Sequence, residues 1–224
     1  DALERILGFK ATLGLHKAQK DGSIFRNEED LKVIGCEDHI ERAKQAADKG
    51  ITLVKNTLDQ LPIRPETHKR IRLYYLEGEK GGLMGDSKSL DIIVKELESR
   101  GFEVTVNDGT TRIKGPTLKY REEVDAALVF SNVVGYGAEN NYRIRWKTAM
   151  SNEVPWYVHE VPTVFVSLNY TTHLTDVPMV KCYINAYKDT EITIKAVVDK
   201  IMGESEFNGT PNELVWCNKW DTRL

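Results

Sequence analysis

Two uninterrupted apolar runs decide the fold predicted for this chain: Ala126-Ala127-Leu128-Val129-Phe130-Ser131 and Pro162-Thr163-Val164-Phe165-Val166-Ser167-Leu168. Strands that are buried on both faces have such continuous apolar sequences, and they are usually the central parallel strands of a sheet. The two runs therefore predict the centre of an open sheet that helices cover on both sides.

Strands and helices alternate on either side of this centre. The segments predicted as strands are rich in β-branched and apolar residues and cover residues 51–55, 70–76, 102–106 and 180–186. The segments predicted as helices repeat apolar residues every three or four positions and cover residues 2–15, 37–49, 87–100 and 191–202. This alternation is expected of right-handed βαβ crossovers, so the predicted fold class is α/β with a mostly parallel sheet.

The chain divides into three parts by composition. Residues 1–50 are helical and strongly charged, and we expect them to be a connector that leads into the sheet. Residues 51–203 form the predicted α/β domain. Residues 204–224 contain Gly209 and Pro211 and are predicted to be an irregular strap along the surface.

Composition and charge exclude several classes of protein. The 224 residues are 41% hydrophobic and 29% charged, which is too apolar for a disordered chain. The net charge of −3 provides no field that would attract nucleic acid or an anionic membrane as the main partner. No apolar run approaches the roughly 20 residues that span a bilayer. We expect a soluble protein and, because the sequence opens on Asp1, a piece of a longer one.

The three cysteines, Cys36, Cys182 and Cys217, are odd in number and include no C-x-x-C pair. No histidine lies at metal-ligand spacing from any of them, so the sequence predicts neither a disulfide framework nor a zinc site. The reduced cytoplasm fits this cysteine usage, and it is the compartment we expect.

In open parallel sheets, ligands bind outside the carboxyl ends of the strands, and three loops occupy such places. The first, residues 77–87, contains four glycines whose spacing matches neither common nucleotide-binding pattern. Glu77 and Glu79 would also repel a pyrophosphate. A flexible loop is therefore favoured over a phosphate site, and no cofactor is predicted.

The second loop, residues 132–143, combines aromatic, amide and charged side chains with two glycines. Sugars are bound by such a mixture, because aromatic faces pack on C–H groups while amides and carboxylates bind hydroxyls. The alternative is a solvated loop with Asn-rich turns. The candidate substrate-binding residues here are Asn132, Tyr136, Glu139, Asn140, Asn141 and Arg143.

The third loop, residues 169–178, adds Asn169 and His173 as candidate substrate contacts. His173 and Asp176 could form an acid/base pair, since three residues in a helical turn bring two side chains together. The alternative is a short turn capped by Thr171 or Thr172, in which His173 bonds only the backbone. No nucleophile motif lies nearby, so the chain does not look like an enzyme on its own.

Several segments resemble glycoside hydrolase family three. Arg5-Ile6-Leu7-Gly8-Phe9-Lys10-Ala11-Thr12-Leu13-Gly14-Leu15 is similar to the segment that ends the catalytic barrel of that family. Gly50-Ile51-Thr52-Leu53-Val54-Lys55-Asn56, followed by Leu61-Pro62-Ile63, resembles the start of its second domain. Val166-Ser167-Leu168-Asn169-Tyr170, His173-Leu174 and Tyr183-Ile184-Asn185-Ala186-Tyr187 are similar to the β-N-acetylhexosaminidase branch.

The resemblance implies a C-terminal domain with a three-layer α/β/α sandwich, which packs on a (β/α)8 barrel preceding Asp1. In that family the nucleophilic Asp lies on the barrel, and in the N-acetylhexosaminidase branch a barrel loop supplies an Asp/His acid/base pair. The whole protein would be a retaining, exo-acting glycosidase that acts on a β-linked sugar. This chain alone would be inactive.

Three alternatives stay open. In the β-glucosidase branch the second domain supplies the acid/base Glu from a loop after a central strand, and Glu139 lies in the corresponding loop. Its surroundings reproduce that branch's motif poorly, so Glu139 is either a substrate contact or the acid/base. The domain could instead only brace the barrel. A free-standing flavodoxin-like nucleotide-binding domain is the third alternative, and the glycine spacing of residues 77–87 argues against it.

Overall fold

A computed structural model describes residues 1–25, 27–77, 88–108, 118–133, 143–144, 146, 153–212 and 215. The chain forms two compact units, Asp1–Ala43 and Lys44–Leu224. The first unit is helical and the second contains the sheet.

The first unit contains helices α1 (Ala2–Thr12) and α2 (Leu15–Asp21) and a 3-10 helix at Glu28–Val33. Gly14 separates α1 from α2 because its φ of +67° lies in the left-handed region, which favours glycine. The sequence predicted one helix over residues 2–15 and did not predict α2. The large apolar side chains of α1 are exposed in this unit: Leu3, Ile6, Leu7 and Phe9.

Helix α3 (Glu37–Gly50) crosses the division between the units. The second unit begins at Lys44, within this helix. The last turns of α3 belong with the sheet because Ala47 packs against its core and Asp48 binds Lys200.

A six-stranded sheet forms the centre of the second unit, with the order β1-β6-β5-β4-β2-β3. Its strands are β1 (Thr52–Asn56), β2 (Arg70–Glu77), β3 (Glu103–Val106), β4 (Ala126–Asn132), β5 (Thr163–Ser167) and β6 (Cys182–Asn185). All neighbours pair in parallel except β1, which pairs with β6 in the antiparallel direction. The two apolar runs are β4 and β5, and both strands are buried throughout. The predicted α/β fold with a mostly parallel sheet is confirmed.

The described residues of this unit also form the α-helices α4 (Ser89–Ser99), α5 (Leu118–Glu123) and α6 (Glu191–Met202). Alternate strand residues point to opposite faces, so each face has its own apolar cluster. On one face, Leu128 and Val166 pack with α4 and α6. On the other face, Val129 and Phe165 pack with Tyr120 of α5. No helix among the described residues has the length and apolarity needed to cross a membrane.

The described part of the predicted strap, residues 204–212, has no regular secondary structure and lies along the sheet unit. Lys200 holds its start by donating to the carbonyl oxygen of Glu206 at 2.6 Å. At Gly209 a Cβ atom would stand 2.8 Å from the carbonyl oxygen of Ile51, so only glycine allows this close approach.

Candidate functional site

Polar side chains gather at the carboxyl edge of β4 and β5, which is where ligands bind in parallel α/β sheets. Asn132 is the last residue of β4, and Asn169 follows the end of β5 by two residues. The two strands are parallel neighbours, with Ser131 paired opposite Ser167. Parallel pairing therefore brings together two loops that the sequence separately singled out.

The first group of polar residues, which we call the amide cluster, is centred on Asn132. This side chain is 3% exposed, and its Nδ2 donates to the hydroxyl of Tyr75 at 2.9 Å and to Asp189 Oδ2 at 3.1 Å. Its Oδ1 accepts a hydrogen bond from Asn169 Nδ2. Ser89 Oγ also donates to Asp189 Oδ2, at 3.1 Å. Segments from five parts of the chain thus share one partly buried hydrogen-bond network.

The second group, the serine–histidine cluster, lies around His173 in the 3-10 turn His173–Thr175. His173 is fully buried, and its Nδ1 lies 2.9 Å from Ser167 Oγ and 3.2 Å from Ser131 Oγ. Ser167 donates its one hydroxyl proton to the carbonyl of Tyr170 at 2.6 Å, so it can only accept from His173. The Nδ1 atom of His173 therefore carries a proton.

His173 and Asp176, which the sequence offered as a possible acid/base pair, have different side-chain partners. The Asp176 carboxylate accepts from Arg143 Nε and from the backbone N–H of Ile144 at 3.0 Å. Asp176 is 6% exposed, whereas the Arg143 side chain is 62% exposed. Asp176 thus anchors the chain at residues 143–144 rather than orienting the imidazole. The simpler alternative had His173 bonding only the backbone. In the structure His173 also hydrogen-bonds serine hydroxyls.

The remaining predicted substrate contacts, Tyr136, Glu139, Asn140 and Asn141, lie outside the described residues. The same is true of most of the first glycine-rich loop, residues 78–87. Among the described residues, Asn132, Asn169 and His173 lie at one edge of the sheet. Asp176, which binds Arg143, lies there as well.

Sequence reasoning missed Asp189, Tyr75 and Ser89 as members of the amide cluster. Asp189 could have been found, because it lies in the segment that follows the carboxyl end of β6, as Asn169 lies in the segment that follows β5. Tyr75 and Ser131 lie within strands, where nothing in the local pattern distinguishes them from packing residues.

The site consists mainly of neutral hydrogen-bonding groups. The described residues contain no cluster of three His, Cys, Asp or Glu side chains that could hold a metal ion. Amides and hydroxyls in fixed orientations suit a ligand rich in hydroxyl groups, which both donates and accepts hydrogen bonds.

Comparison with known proteins gives the family. No family model matches the chain. A β-N-acetylglucosaminidase/β-glucosidase from Cellulomonas fimi is 33% identical over 100% of this chain and 40% of its own length. A solved β-glucoside phosphorylase, BglX, is 30% identical over 98% of this chain and 39% of its own, with a TM-score of 0.80. The chain is homologous to glycoside hydrolases of family three.

The predicted family is therefore confirmed. A family-three β-N-acetylglucosaminidase from a Paenibacillus species shares the fold, with a TM-score of 0.55 at 14% identity. The chain spans about two fifths of the length of the curated relative and of BglX. It has the fold of the C-terminal α/β domain of family-three enzymes, and the two clusters lie at the carboxyl edge of that domain's sheet.

Proposed function

We propose that this family-three domain is the C-terminal part of a retaining, exo-acting β-glycosidase, most similar to β-N-acetylhexosaminidases, and that it borders the sugar site of a catalytic (β/α)8 barrel. The observation that carries this proposal is the amide cluster. It places two asparagine side chains in fixed orientations at the edge of the sheet where ligands bind.

The exposed apolar side chains of α1 support the barrel as a partner. Leu3 is 68% and Phe9 is 66% exposed, and both belong to the segment that resembles the end of a family-three barrel. A run of large exposed apolar residues marks a surface that another domain covers. About three fifths of the curated relative lies outside the matched part, which leaves room for a barrel.

In this proposal the barrel supplies the nucleophile, and the chain described here supplies neutral contacts to the sugar. Retaining glycosidases form a covalent glycosyl intermediate, and a second group handles the proton. Whether Glu139 supplies that proton, as in β-glucosidases, or only binds the sugar is the main alternative within the proposal.

A second candidate transfers the sugar to phosphate instead of water. It is favoured by one observation, that a similar solved protein is named a β-glucoside phosphorylase, with 32% identity over 92% of this chain. The domain would border the sugar in the same way, and only the acceptor would differ.

The test is cleavage of p-nitrophenyl N-acetyl-β-glucosaminide and p-nitrophenyl β-glucoside by this chain and by a longer protein that includes the barrel. We expect activity only in the longer protein, and the preferred sugar names the branch. Stimulation by inorganic phosphate, with release of a sugar 1-phosphate, would favour the phosphorylase. Activity of this chain alone would overturn the proposal, because a complete site would then lie within it.

A further inference from the structure

We propose that Asp189 sets the direction of a three-residue hydrogen-bond chain, Asp189–Asn132–Asn169, and so makes Asn169 present its carbonyl oxygen to a hydroxyl group of the sugar. The part of this inference that concerns the sugar rests on the function proposed above. The part that concerns the amide orientations does not.

The Asp189 carboxylate decides how the neighbouring amide is oriented. An asparagine amide has nearly the same shape in both orientations, so a neighbour must decide which way it faces. Asp189 Oδ2 accepts from Ser89 Oγ and Asn132 Nδ2, both at 3.1 Å, and Lys188 Nζ lies 3.7 Å from Oδ1. An ionised carboxylate can only accept hydrogen bonds, so Asn132 must turn its NH2 group toward Asp189.

The orientation of the Asn132 amide in turn decides the orientation of the Asn169 amide. Both Nδ2 hydrogens of Asn132 are used, one by Asp189 and one by the Tyr75 hydroxyl, which leaves Asn132 Oδ1 facing Asn169. An oxygen opposite an oxygen would leave buried polar atoms unpaired, so Asn169 must offer its NH2 group as well. Its own Oδ1 is then the end of the chain.

Asn169 is the member of the chain that can meet a ligand. Its side chain is partly exposed, whereas Asn132 is 3% exposed. Within the described residues, no donor contacts Asn169 Oδ1. The free end of the chain is therefore an acceptor, and the group it would bind is a donor such as a sugar hydroxyl.

The segment between β6 and α6 carries Asp189, and contacts at both of its ends fix its position. Tyr187 precedes it by two residues and has a φ of +66°, in the left-handed region that a tyrosine rarely adopts. The Tyr187 hydroxyl lies 2.9 Å from Thr52 Oγ1 of β1, which retains the loop in this conformation. The carboxylate is thus placed by a loop that is fixed at both ends, since Thr190 caps α6.

The experiment uses the full-length protein and the Asp189→Asn variant. The probes are the monosaccharide of the preferred substrate and its monodeoxyfluoro forms, one for each non-anomeric hydroxyl, tested as competitive inhibitors. Fluorine cannot donate, so in the unmodified protein one fluoro sugar should bind about tenfold more weakly than its parent. In Asp189→Asn both amides can reverse and Asn169 can present N–H, so this discrimination, measured as the ratio of the two inhibition constants, should fall at least severalfold.

Two further variants keep the result interpretable. Glu191→Gln neutralises an exposed carboxylate two residues away and should leave the discrimination unchanged. Asn169→Ala removes only the partly exposed end of the chain and should abolish the discrimination at the same hydroxyl, even if Asp189→Asn folds poorly. Equal discrimination at every position in the unmodified protein and in Asn169→Ala would overturn the inference.

Nuclear magnetic resonance of asparagine-labelled full-length protein separates this inference from the proposed function. Asn169 hydrogen-bonds Asn132 and not Asp189, so a change in its side-chain amide resonance in Asp189→Asn reports the relay through Asn132. An unchanged Asn169 resonance would overturn the relay whether or not the protein cleaves a glycoside. A changed resonance in a protein that cleaves none would leave the relay standing and overturn the proposed function.

Discussion

The Nδ1 atom of His173 lies 2.9 Å from the hydroxyl oxygen of Ser167, and both residues are buried. The Ser167 hydroxyl donates its hydrogen bond to the carbonyl oxygen of Tyr170, so His173 is the donor in its contact with Ser167. The buried histidine therefore ties the end of β5 to the turn that follows it, and its first role is to hold that edge of the sheet in place.

Replacing His173 tests this role. We expect His173→Ala to lower the free energy of unfolding by about 2–4 kcal/mol, because it leaves a cavity and two hydroxyls without their shared partner. His173→Asn keeps an N–H donor near the position of Nδ1 and should lose clearly less. Urea denaturation of both variants measures the difference. Equal losses would mean that the bond to Ser167 contributes little.

Lys200 offers a second test, because it is a fully buried lysine whose ammonium is completely bonded. Its Nζ lies 3.0 Å from Asp48 Oδ1 and donates to Ser205 Oγ at 3.1 Å and to the carbonyl oxygen of Glu206. Lys200→Met should cost about 2–4 kcal/mol of stability, since it leaves these groups without their common donor.

Lys195 on the same helix provides the matched control for Lys200. It forms an ion pair with Glu191 at 2.6 Å, but both side chains are at least half exposed. Exposed ion pairs contribute about 0–1 kcal/mol, so Lys195→Met should change the unfolding midpoint little. A similar loss of stability in Lys200→Met and Lys195→Met would show that the burial of Lys200 adds nothing to its contribution.

Acid should weaken the fold through Asp125. Hydrogen bonds from the Arg70 guanidinium hold the pKa of the Asp125 carboxyl below its usual value of 3.8. A group whose pKa is lowered on folding stabilises the protein above its unfolded pKa, and this contribution is lost as the pH falls through the folded pKa. Asp125→Asn should therefore be less stable than the unmodified protein near neutral pH, and the difference should shrink below about pH 4.

Thermal unfolding between about pH 6 and pH 2.5 measures this effect. Asp91→Asn, on the exposed side of α4, is the control and should run parallel to the unmodified protein. A difference between Asp125→Asn and the unmodified protein that stays constant down to the lowest pH would contradict the prediction.

Glu139 is tested in the full-length protein, on the substrate it prefers. If Glu139 contacts the sugar, Glu139→Gln should raise KM about tenfold with little change in kcat. If it is the acid/base, kcat should fall by about two to four orders of magnitude. Glu123→Gln, on the exposed side of α5, is the control. Unchanged values of both constants for Glu139→Gln would remove this residue from the site.

The central strands were predictable from the sequence because their cause is local. The predicted strand at residues 126–131 is observed as Ala126–Asn132, and the one at residues 162–168 as Thr163–Ser167. A strand that is buried on both faces must be apolar at every position, and this pattern is written in consecutive residues. Helix α6 was predictable for the same reason, since Gly203 ends it and its apolar face repeats with the helical period.

The candidate site was only partly predictable. Asn132, Asn169 and His173 follow or adjoin the ends of parallel strands, and the rule that ligands bind there was enough to select them. The partners of these residues were not predictable in the same way. Asp176 and His173 are near in sequence, yet their partners differ. Asp176 binds Arg143 and Ile144, whereas His173 binds two serines.

The sequence by itself determined the elements of this domain, their order and, through its resemblance to known segments, its family. Only the tertiary structure decided that β1 joins the sheet antiparallel at the edge and that Asp189 reaches Asn132, 57 residues away. The physical reason is that periodicity and burial act on neighbouring residues, whereas a hydrogen bond between loops depends on strand order and register. These follow from the packing of the whole sheet, and no short stretch of sequence contains them.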